Sequence, residues 1–213
     1  MRRAAARLIV AGTGSGCGKT TATCAILQAL VNRGEDVAAF TCGPEYIDPM
    51  FHGEIIGADS GNIDLFFTGA DTARSLFMKN ARDLNVIEGV MGYYDGLTTR
   101  SAAASGWDVA NALEAPALLV VHARGMALSA AAVVGGFLSL RQPSRIEGVL
   151  LNGVSPGVYS EMKAAVEAER GVRVYGYLPN MPECALESRH LGLVTAQEVE
   201  RSEEHTSELQ SRE

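Results

Sequence analysis

A glycine-rich stretch near the amino terminus carries the residues best suited to chemistry. It reads LIVAGTGSGCGKTT from Leu8 to Thr21. Glycines let backbone N–H groups curl around phosphate oxygens, and the start of a helix adds partial positive charge. A following lysine can reach the terminal phosphates, and a threonine hydroxyl can bind Mg²⁺. The stretch therefore predicts a nucleotide phosphate site formed by Gly12, Thr13, Gly14, Gly16, Gly18, Lys19, Thr20 and Thr21.

The spacing departs at one point from the strict phosphate-loop pattern G-x-x-x-x-G-K-[ST]. That pattern requires glycine at position 13, where the chain has Thr13, and the first glycine is Gly12. The apolar run 8–11 predicts a buried strand before the loop, and the apolar period over 22–31 predicts a helix after it. A glycine-rich turn in another kind of α/β protein is the alternative, but it does not explain Lys-Thr-Thr at the helix start.

Acidic residues later in the chain suit the other side of a nucleotide site. Glu88 ends a predicted strand, and a carboxylate there can hold Mg²⁺ directly or through water. The alternative for Glu88 is a solvated glutamate at a strand end. Asp95 lies in YYDG, where Asp-Gly is also a common turn. Glu45, Tyr46 and Asp48 form a polar cluster in a proline-bounded loop, which we expect opposite the nucleotide.

The histidines and cysteines indicate no metal centre. His52, His122 and His190 lack partners at metal-ligand spacing, so each is expected to be a hydrogen-bonded structural histidine. The 4 cysteines show no C-x-x-C spacing and are expected to be reduced thiols of a cytoplasmic protein. Among them, Cys184 is expected to be a packing or loop residue rather than a nucleophile.

Predicted strands and helices alternate along the chain. Further strands are predicted at 37–40, 85–88, 117–121, 146–151 and 172–178, and further helices at 71–81, 107–113, 127–140 and 160–170. The irregular stretch 41–68 is expected to be a structured loop. This alternation predicts a mostly parallel sheet with helices on both faces. Because such sheets bind ligands beyond the carboxyl ends of their strands, one edge is expected to hold the phosphate loop, the loop that contains Glu45, the turn at Glu88, and Asn152. Asn152 is therefore a further candidate nucleotide-binding residue.

Composition and charge narrow the class of protein. The chain has 213 residues, 47% hydrophobic and 20% charged, which is ordinary for one globular domain. Its net charge of -7 gives no indication of a nucleic-acid surface. No apolar stretch reaches the length of a membrane span, so neither nucleic acid nor membrane is expected as a partner. The amino-terminal apolar patch runs directly into the phosphate loop, so a cleavable leader is not expected.

The final segment, RSEEHTSELQSRE from Arg201 to Glu213, breaks the pattern. It has almost no apolar residues and no period. It also resembles a translated sequencing-adapter read-through, so we expect it to be non-native and not to pack against the domain. The expected domain therefore spans 1–200, with the natural protein continuing beyond it.

Several motifs together resemble the synthetase domain of cobyrinate a,c-diamide synthases. They are GTGSGCGKTT, CGPEYIDPMFH, VIEGVMGYYDG, GVLLNGV and ESRHLGL, and the second and last are more specific than the phosphate loop. The likeness covers essentially Leu8 to Glu200. A weaker kinship extends to dethiobiotin synthetase and cobyric acid synthase. The resemblance implies a P-loop NTPase fold of the dethiobiotin synthetase-like type.

The activity implied by this resemblance is ATP-dependent amidation of the a and c carboxylates of a corrinoid, cobyrinate, in cobalamin biosynthesis. ATP and Mg²⁺ are the implied cofactors, and an acyl phosphate is the implied intermediate. In this family glutamine supplies the ammonia through a carboxy-terminal glutaminase domain, which is expected to follow Glu200 in the natural protein. A homodimer is left open.

The resemblance also implies roles for individual residues. Lys19 and Thr20 would serve the phosphates and Mg²⁺, and Glu88 would hold the metal. The implied catalytic residues are Lys19, Asp48, Glu88 and Asp95, and the implied substrate-binding residues are Glu45, Tyr46, Asp48 and Asp95.

Three positions depart from the family pattern. The family usually has Asp at Glu45, Lys at Thr41 and Asp at His122. Glutamate moves its carboxylate outward by about one methylene, which affects positioning. Loss of the lysine removes a cation that could meet a carboxylate or phosphate.

Two rival functions remain. A nickel-sirohydrochlorin a,c-diamide synthase would share nearly every motif. A partitioning or septum-placement ATPase switch, with a protein or DNA partner, belongs to a different class. Those switches carry a signature lysine five residues before the catalytic one, and in this chain that position is Gly14.

Overall fold

A seven-stranded parallel sheet forms the centre of the molecule. The computed structural model describes residues 5–44 and 52–180, and the backbone alone of 54–55, 188–189 and 192–193. The strands follow the order β3-β2-β4-β1-β5-β6-β7, and each neighbouring pair is parallel. Their bounds are β1 Ala6–Gly12, β2 Val37–Cys42, β3 Asp59–Ile63, β4 Leu84–Glu88, β5 Ala117–His122, β6 Ile146–Asn152 and β7 Arg173–Leu178. The predicted parallel sheet is therefore confirmed.

Helices connect these strands, because parallel pairing requires the chain to cross back over the sheet between one strand and the next. Their bounds are α1 Lys19–Asn32, α2 Leu65–Asn80, α3 Gly106–Ala112, α4 Ser129–Ser139 and α5 Pro156–Arg170, with a π-helix at His52–Ile56. Two short strands, β8 Ser188–Arg189 and β9 Gly192–Leu193, pair antiparallel as a separate ribbon.

The stretch 41–68, expected to be a loop, contains regular structure, and that prediction is wrong. It holds the end of β2, the π-helix, β3 and the start of α2. Strand β3 reads DSGNI and lies at the sheet edge, so its sequence lacks the apolar run of a buried strand. Its pairing with β2 holds it in place, and tertiary context overrides weak strand propensity.

Helix α2 begins earlier than the predicted start at Asp71. The carboxylate of Asp64 accepts hydrogen bonds from the N–H groups of Phe66 and Phe67, at 2.8 and 3.1 Å, and caps the helix at Leu65. Gly69 then breaks the helical backbone, with φ 71° and ψ 166°. The prediction found only the part of the helix that follows this break.

Two hydrophobic cores lie on opposite faces of the sheet. The larger contains side chains from α2 to α5, and the smaller contains α1 and the π-helix. In the smaller core, Ile56 packs with Ala22 and Leu27 against Val10 and Val86 of the sheet. These contacts fix α1 and the π-helix over the strands that carry the site described below. Within 5–44 and 52–180, no helix has both the length and the apolar character needed to cross a bilayer.

Candidate nucleotide site and adjoining cleft

The loop between β1 and α1 has the backbone that a phosphate loop requires. Gly16 and Gly18 have positive φ angles of 69° and 97°, a region that favours glycine. A Cβ on Gly12 would clash with Cys17 and Lys19, and a Cβ on Gly18 would clash with Asn152. A side chain at Gly12 or Gly18 would therefore displace these neighbours, and at Gly18 the positive φ would add backbone strain.

The first turn of α1 presents N–H groups and a lysine to the same loop. The helical hydrogen-bond ladder begins with Ala22, whose N–H donates to the carbonyl of Gly18 at 3.0 Å. The N–H groups of Lys19, Thr20 and Thr21 precede that ladder and can bind an anion. The Lys19 ammonium reaches back across the loop and donates to the carbonyl of Gly14 at 3.0 Å.

Thr13 differs from the rest of the loop. Its N–H donates to the carbonyl of Val120 on β5 at 3.1 Å, so this group extends the sheet. A contribution of Thr13 to nucleotide binding would have to come from its side chain.

Glu88 meets the phosphate loop directly. The Thr20 hydroxyl donates to Glu88 Oε1 at 2.5 Å, although the two residues are 68 positions apart in the chain. The other oxygen, Oε2, is buried and has no hydrogen-bond partner among the residues that the structure describes. His52 Nε2 lies 3.4 Å from that oxygen. The alternative of a solvated strand-end glutamate is wrong, because Glu88 is only 2% exposed.

Strand β2 places two further side chains next to Glu88. Thr41 is its register partner and is fully buried, with a hydroxyl that lacks a partner in the described part of the chain. Burial, with smaller contributions from the charges of Glu88 and Asp64, raises the pKa of the Cys42 thiol to about 12. Cys42 therefore stays a neutral thiol at the end of β2.

The turn after β4 is tied to the phosphate loop. The N–H of Tyr93 donates to the carbonyl of Gly12 at 2.8 Å. The N–H of Gly92 donates to Asp95 Oδ2 at 2.9 Å, which closes the turn and leaves Asp95 exposed at its end. The turn has Tyr93 and Tyr94 at its centre, so it is not the alternative Asp-Gly turn. Asp95 lines a cleft.

This cleft has a volume of about 290 Å³ and adjoins the ends of β2 and β4. Its walls include Asp95, the residues Cys42 and Gly43 at and after the end of β2, and apolar side chains of the turn. Pro44 also lines it and directly precedes Glu45 in the chain. Glu45, Tyr46 and Asp48 themselves lie outside the described residues, so their predicted roles stay predictions.

Asn152 stands at the carboxyl end of β6, as predicted, and braces the phosphate loop. Its amide Nδ2 donates to the carbonyl of Cys17 at 2.9 Å. The side chain also lies against Gly18. The structure thus brings Asn152, Glu88 and the loop to one edge of the sheet.

The prediction of hydrogen-bonded structural histidines is wrong for His52. This side chain is fully buried, yet neither ring nitrogen has a hydrogen-bond partner in the described ranges. His122 is exposed at the end of β5, and His190 lies outside the described residues. Spacing along the sequence did not reveal His52, because its neighbour Glu88 comes from a distant strand.

The oxygens at this edge suit a hard cation. Within 5–44 and 52–180, no group of three or more His, Cys, Asp or Glu side chains could by itself hold a metal ion. Mg²⁺ typically takes only one or two protein oxygens, with phosphate oxygens and water completing its shell. The Thr20 hydroxyl and the unpartnered Oε2 of Glu88 fit that requirement.

A parallel sheet with a phosphate loop and an acid at the neighbouring strand end defines a P-loop nucleotide-binding domain. Residues 8–194 match the family model described as "CobQ/CobB/MinD/ParA nucleotide binding domain". The chain belongs to that family.

The curated relatives carry a more specific name than the family model. The chain is 40% identical over 200 residues to cobyrinate a,c-diamide synthase of Priestia megaterium, covering 92% of this chain and 43% of that protein. It is 43% identical over 197 residues to the synthase of the same name from Listeria innocua, covering 91% of this chain and 44% of that protein. The resemblance that the motifs indicated is confirmed. The chain spans less than half the length of these relatives.

Solved structures support the fold. Chloroplast FtsY from Physcomitrella patens superposes with a TM-score of 0.62 at 15% identity, covering 92% of this chain and 64% of that one. A nucleotide-binding protein from Archaeoglobus fulgidus in complex with ADP gives a TM-score of 0.58 at 15% identity, covering 84% of this chain and 83% of that one. At these identities the likeness concerns the fold alone.

Proposed function

We propose that this domain catalyses ATP-dependent amidation of the a and c carboxylates of cobyrinate, through an acyl phosphate. The observation that carries the proposal is the contact between Thr20 of the phosphate loop and Glu88 of β4. It forms one oxygen-rich site at the point where nucleotide phosphates would bind. The similarity to proteins named cobyrinate a,c-diamide synthase supplies the substrate class.

The cleft beside Asp95 supports a substrate with an apolar face. Val90, Met91 and Leu97 line it and remain 39%, 51% and 53% exposed. Met91 has a positive φ of 56°, which is uncommon for a residue other than glycine and is often found at functional sites. Exposed apolar side chains next to a nucleotide site match the flat apolar face of a macrocycle.

The proposed chemistry moves one oxygen from the substrate to phosphate. A carboxylate oxygen of the corrinoid attacks the γ-phosphorus of ATP, and the bond to the β–γ bridging oxygen breaks to release ADP. The nitrogen of ammonia then attacks the acyl carbon and loses a proton. The carbon–oxygen bond to the phosphoryl group breaks, which leaves an amide and inorganic phosphate.

Residues of this chain offset the charge repulsion between the substrate carboxylate and the phosphates of ATP. The Lys19 ammonium and the N–H groups at the start of α1 bind phosphate oxygens. Thr20 and Glu88 would hold Mg²⁺, which neutralises charge on the transferred phosphoryl group. We assign Asp95, together with Glu45, Tyr46 and Asp48, to orient the substrate carboxylate. Glutamine as the ammonia source would require the part of the curated relatives that this chain does not match.

The experiment combines the domain with cobyrinate, ATP, Mg²⁺ and ammonium, and follows the corrinoid by mass spectrometry. We expect mono- and diamide products, with ADP formed only when the corrinoid is present. Amidation of nickel-sirohydrochlorin in preference to cobyrinate would instead indicate the sister ligase. ATP turnover without corrinoid, stimulated by DNA or by anionic lipid vesicles, would overturn the proposal in favour of an ATPase switch.

A further inference from the structure

A buried histidine lies beside the acid of the proposed nucleotide site, next to the carboxylate oxygen that Thr20 does not meet. His52 and Glu88 are 0% and 2% exposed, and His52 Nε2 lies 3.4 Å from Glu88 Oε2. Thr20 meets Oε1 of the same carboxylate. The two oxygens of Glu88 are therefore approached by different elements, one by α1 and one by the π-helix.

The position of His52 is fixed by the fold. It opens the π-helix, and its carbonyl accepts a hydrogen bond from the N–H of Ala58 at 3.1 Å. Ile56, at the other end of the π-helix, is buried in the core beneath α1. The ring is thus held next to Glu88 by a backbone hydrogen bond at one end of this short element and by packing at the other.

Burying an imidazole without hydrogen bonds is unfavourable, and a purely structural role would be better served by an apolar side chain. Both ring nitrogens lack a partner in the described part of the chain, as does Glu88 Oε2. Unpaired buried groups of this kind cluster at functional sites, where a bound group completes them.

We propose that His52 is a positioning residue that holds the Glu88 carboxylate in the orientation needed to bind a divalent cation. The 3.4 Å contact is not a hydrogen bond in this structure. Donation from Nε2–H to Oε2 when the cation binds would fix the rotation of the carboxylate, as partners outside the first coordination shell commonly do for metal ligands. This inference rests on the metal and nucleotide part of the proposed function.

Two variants separate hydrogen-bond donation by the His52 side chain from its packing. His52→Gln keeps an N–H donor, and His52→Leu keeps similar volume without one. His122→Gln is the control, because this histidine also lies near the carboxyl end of a strand but is exposed. Binding of Mn²⁺, as a spectroscopic substitute for Mg²⁺, is measured by electron paramagnetic resonance with saturating ADP. ADP affinity without metal and thermal unfolding are measured in parallel.

We expect His52→Leu to weaken Mn²⁺ binding about 10–100-fold. His52→Gln should recover most of that loss, and His122→Gln should match the wild type. ADP affinity without metal should stay unchanged in all variants. Equal Mn²⁺ affinities in wild type and His52→Leu, or equal losses in both His52 variants, would overturn the positioning role. Absence of ADP-dependent Mn²⁺ binding in the wild type would instead count against the proposed metal site itself.

Discussion

The Thr20 hydroxyl donates to Glu88 Oε1 at 2.5 Å, and this bond joins the phosphate loop to the end of β4. The two strands involved, β1 and β4, are neighbours in the sheet, and Val10 is the register partner of Glu88. The contact follows from the sheet order, because the phosphate loop leaves the carboxyl end of β1 beside the carboxyl end of β4. The proposed nucleotide and metal binding at this edge would depend on that adjacency.

Glu88→Gln should remove the charge that the metal requires while keeping the size of the side chain. Loss of one anionic ligand costs several kcal/mol of charge stabilisation, so we expect ATP turnover with Mg²⁺ to fall at least about 100-fold. ADP affinity without metal should change little. Steady-state kinetics and calorimetry test this, with Glu147→Gln as control because Glu147 is exposed on β6. Unchanged turnover in Glu88→Gln would remove Glu88 from the site.

Gly18→Ala and Gly14→Ala should differ sharply in stability. Gly18 has φ 97° and lies against Asn152, whereas a Cβ on Gly14 would meet no atom within 4 Å. We expect Gly18→Ala to lower the free energy of unfolding by about 2 kcal/mol from strain and steric clash. Gly14→Ala should stay within about 0.5 kcal/mol of the wild type. Denaturant unfolding measures both, and equal losses would contradict the loop geometry.

The Cys42 thiol should make the folded state sensitive to alkaline pH. Its folded pKa is about 12, against an ordinary value of 9.0. Between about pH 9 and pH 12, unfolding therefore releases the thiol proton of Cys42. The contribution of the buried thiol to the free energy of unfolding is complete below about pH 9 and is lost as the pH rises. Cys42 alone should lower the free energy of unfolding by about 1.4 kcal/mol between pH 8 and pH 10.

Comparison of wild type with Cys42→Ala isolates this contribution. The difference in free energy of unfolding between the two proteins, measured with urea at each pH, should shift by that amount. A difference that does not vary with pH would show that the folded thiol titrates normally.

Leu97→Ser should weaken corrinoid binding without affecting nucleotide. Leu97 is 53% exposed and lines the cleft beside Asp95. Covering a leucine by an apolar ligand contributes about 1.5 kcal/mol, so the KM for cobyrinate should rise about 10-fold. Leu140→Ser is the control, because Leu140 is 65% exposed at the end of α4 and does not line the cleft. Equal effects of the two variants on KM would exclude the cleft as the substrate site.

Much of the fold could be predicted because its central strands are continuous apolar runs. Strand β5 reads ALLVVH and is buried along nearly its whole length, so its sequence alone indicates a strand. Strand β3 could not be predicted, because an edge strand with the sequence DSGNI is defined by its pairing with β2. The start of α2 was missed because Gly69 interrupts the helical pattern.

Residues of the candidate site could be predicted only where they lie within one short sequence motif. The phosphate loop and Glu88 follow from local sequence, and Asp95 from the family likeness alone. The surroundings of Glu88 could not be predicted from local sequence. Thr41 lies next to it through strand register, and His52 through packing of the π-helix. Neither relationship leaves a spacing signal in the chain.

Transfer of labelled oxygen tests the central claim most directly. Cobyrinate carrying ¹⁸O in its carboxylates is incubated with the domain, ATP, Mg²⁺ and ammonium, and the released phosphate is examined by mass spectrometry. The account predicts one ¹⁸O in inorganic phosphate for each amide formed, because the carboxylate oxygen leaves with the phosphoryl group. Amide formation with unlabelled phosphate, or ATP hydrolysis with no amide at all, would contradict it.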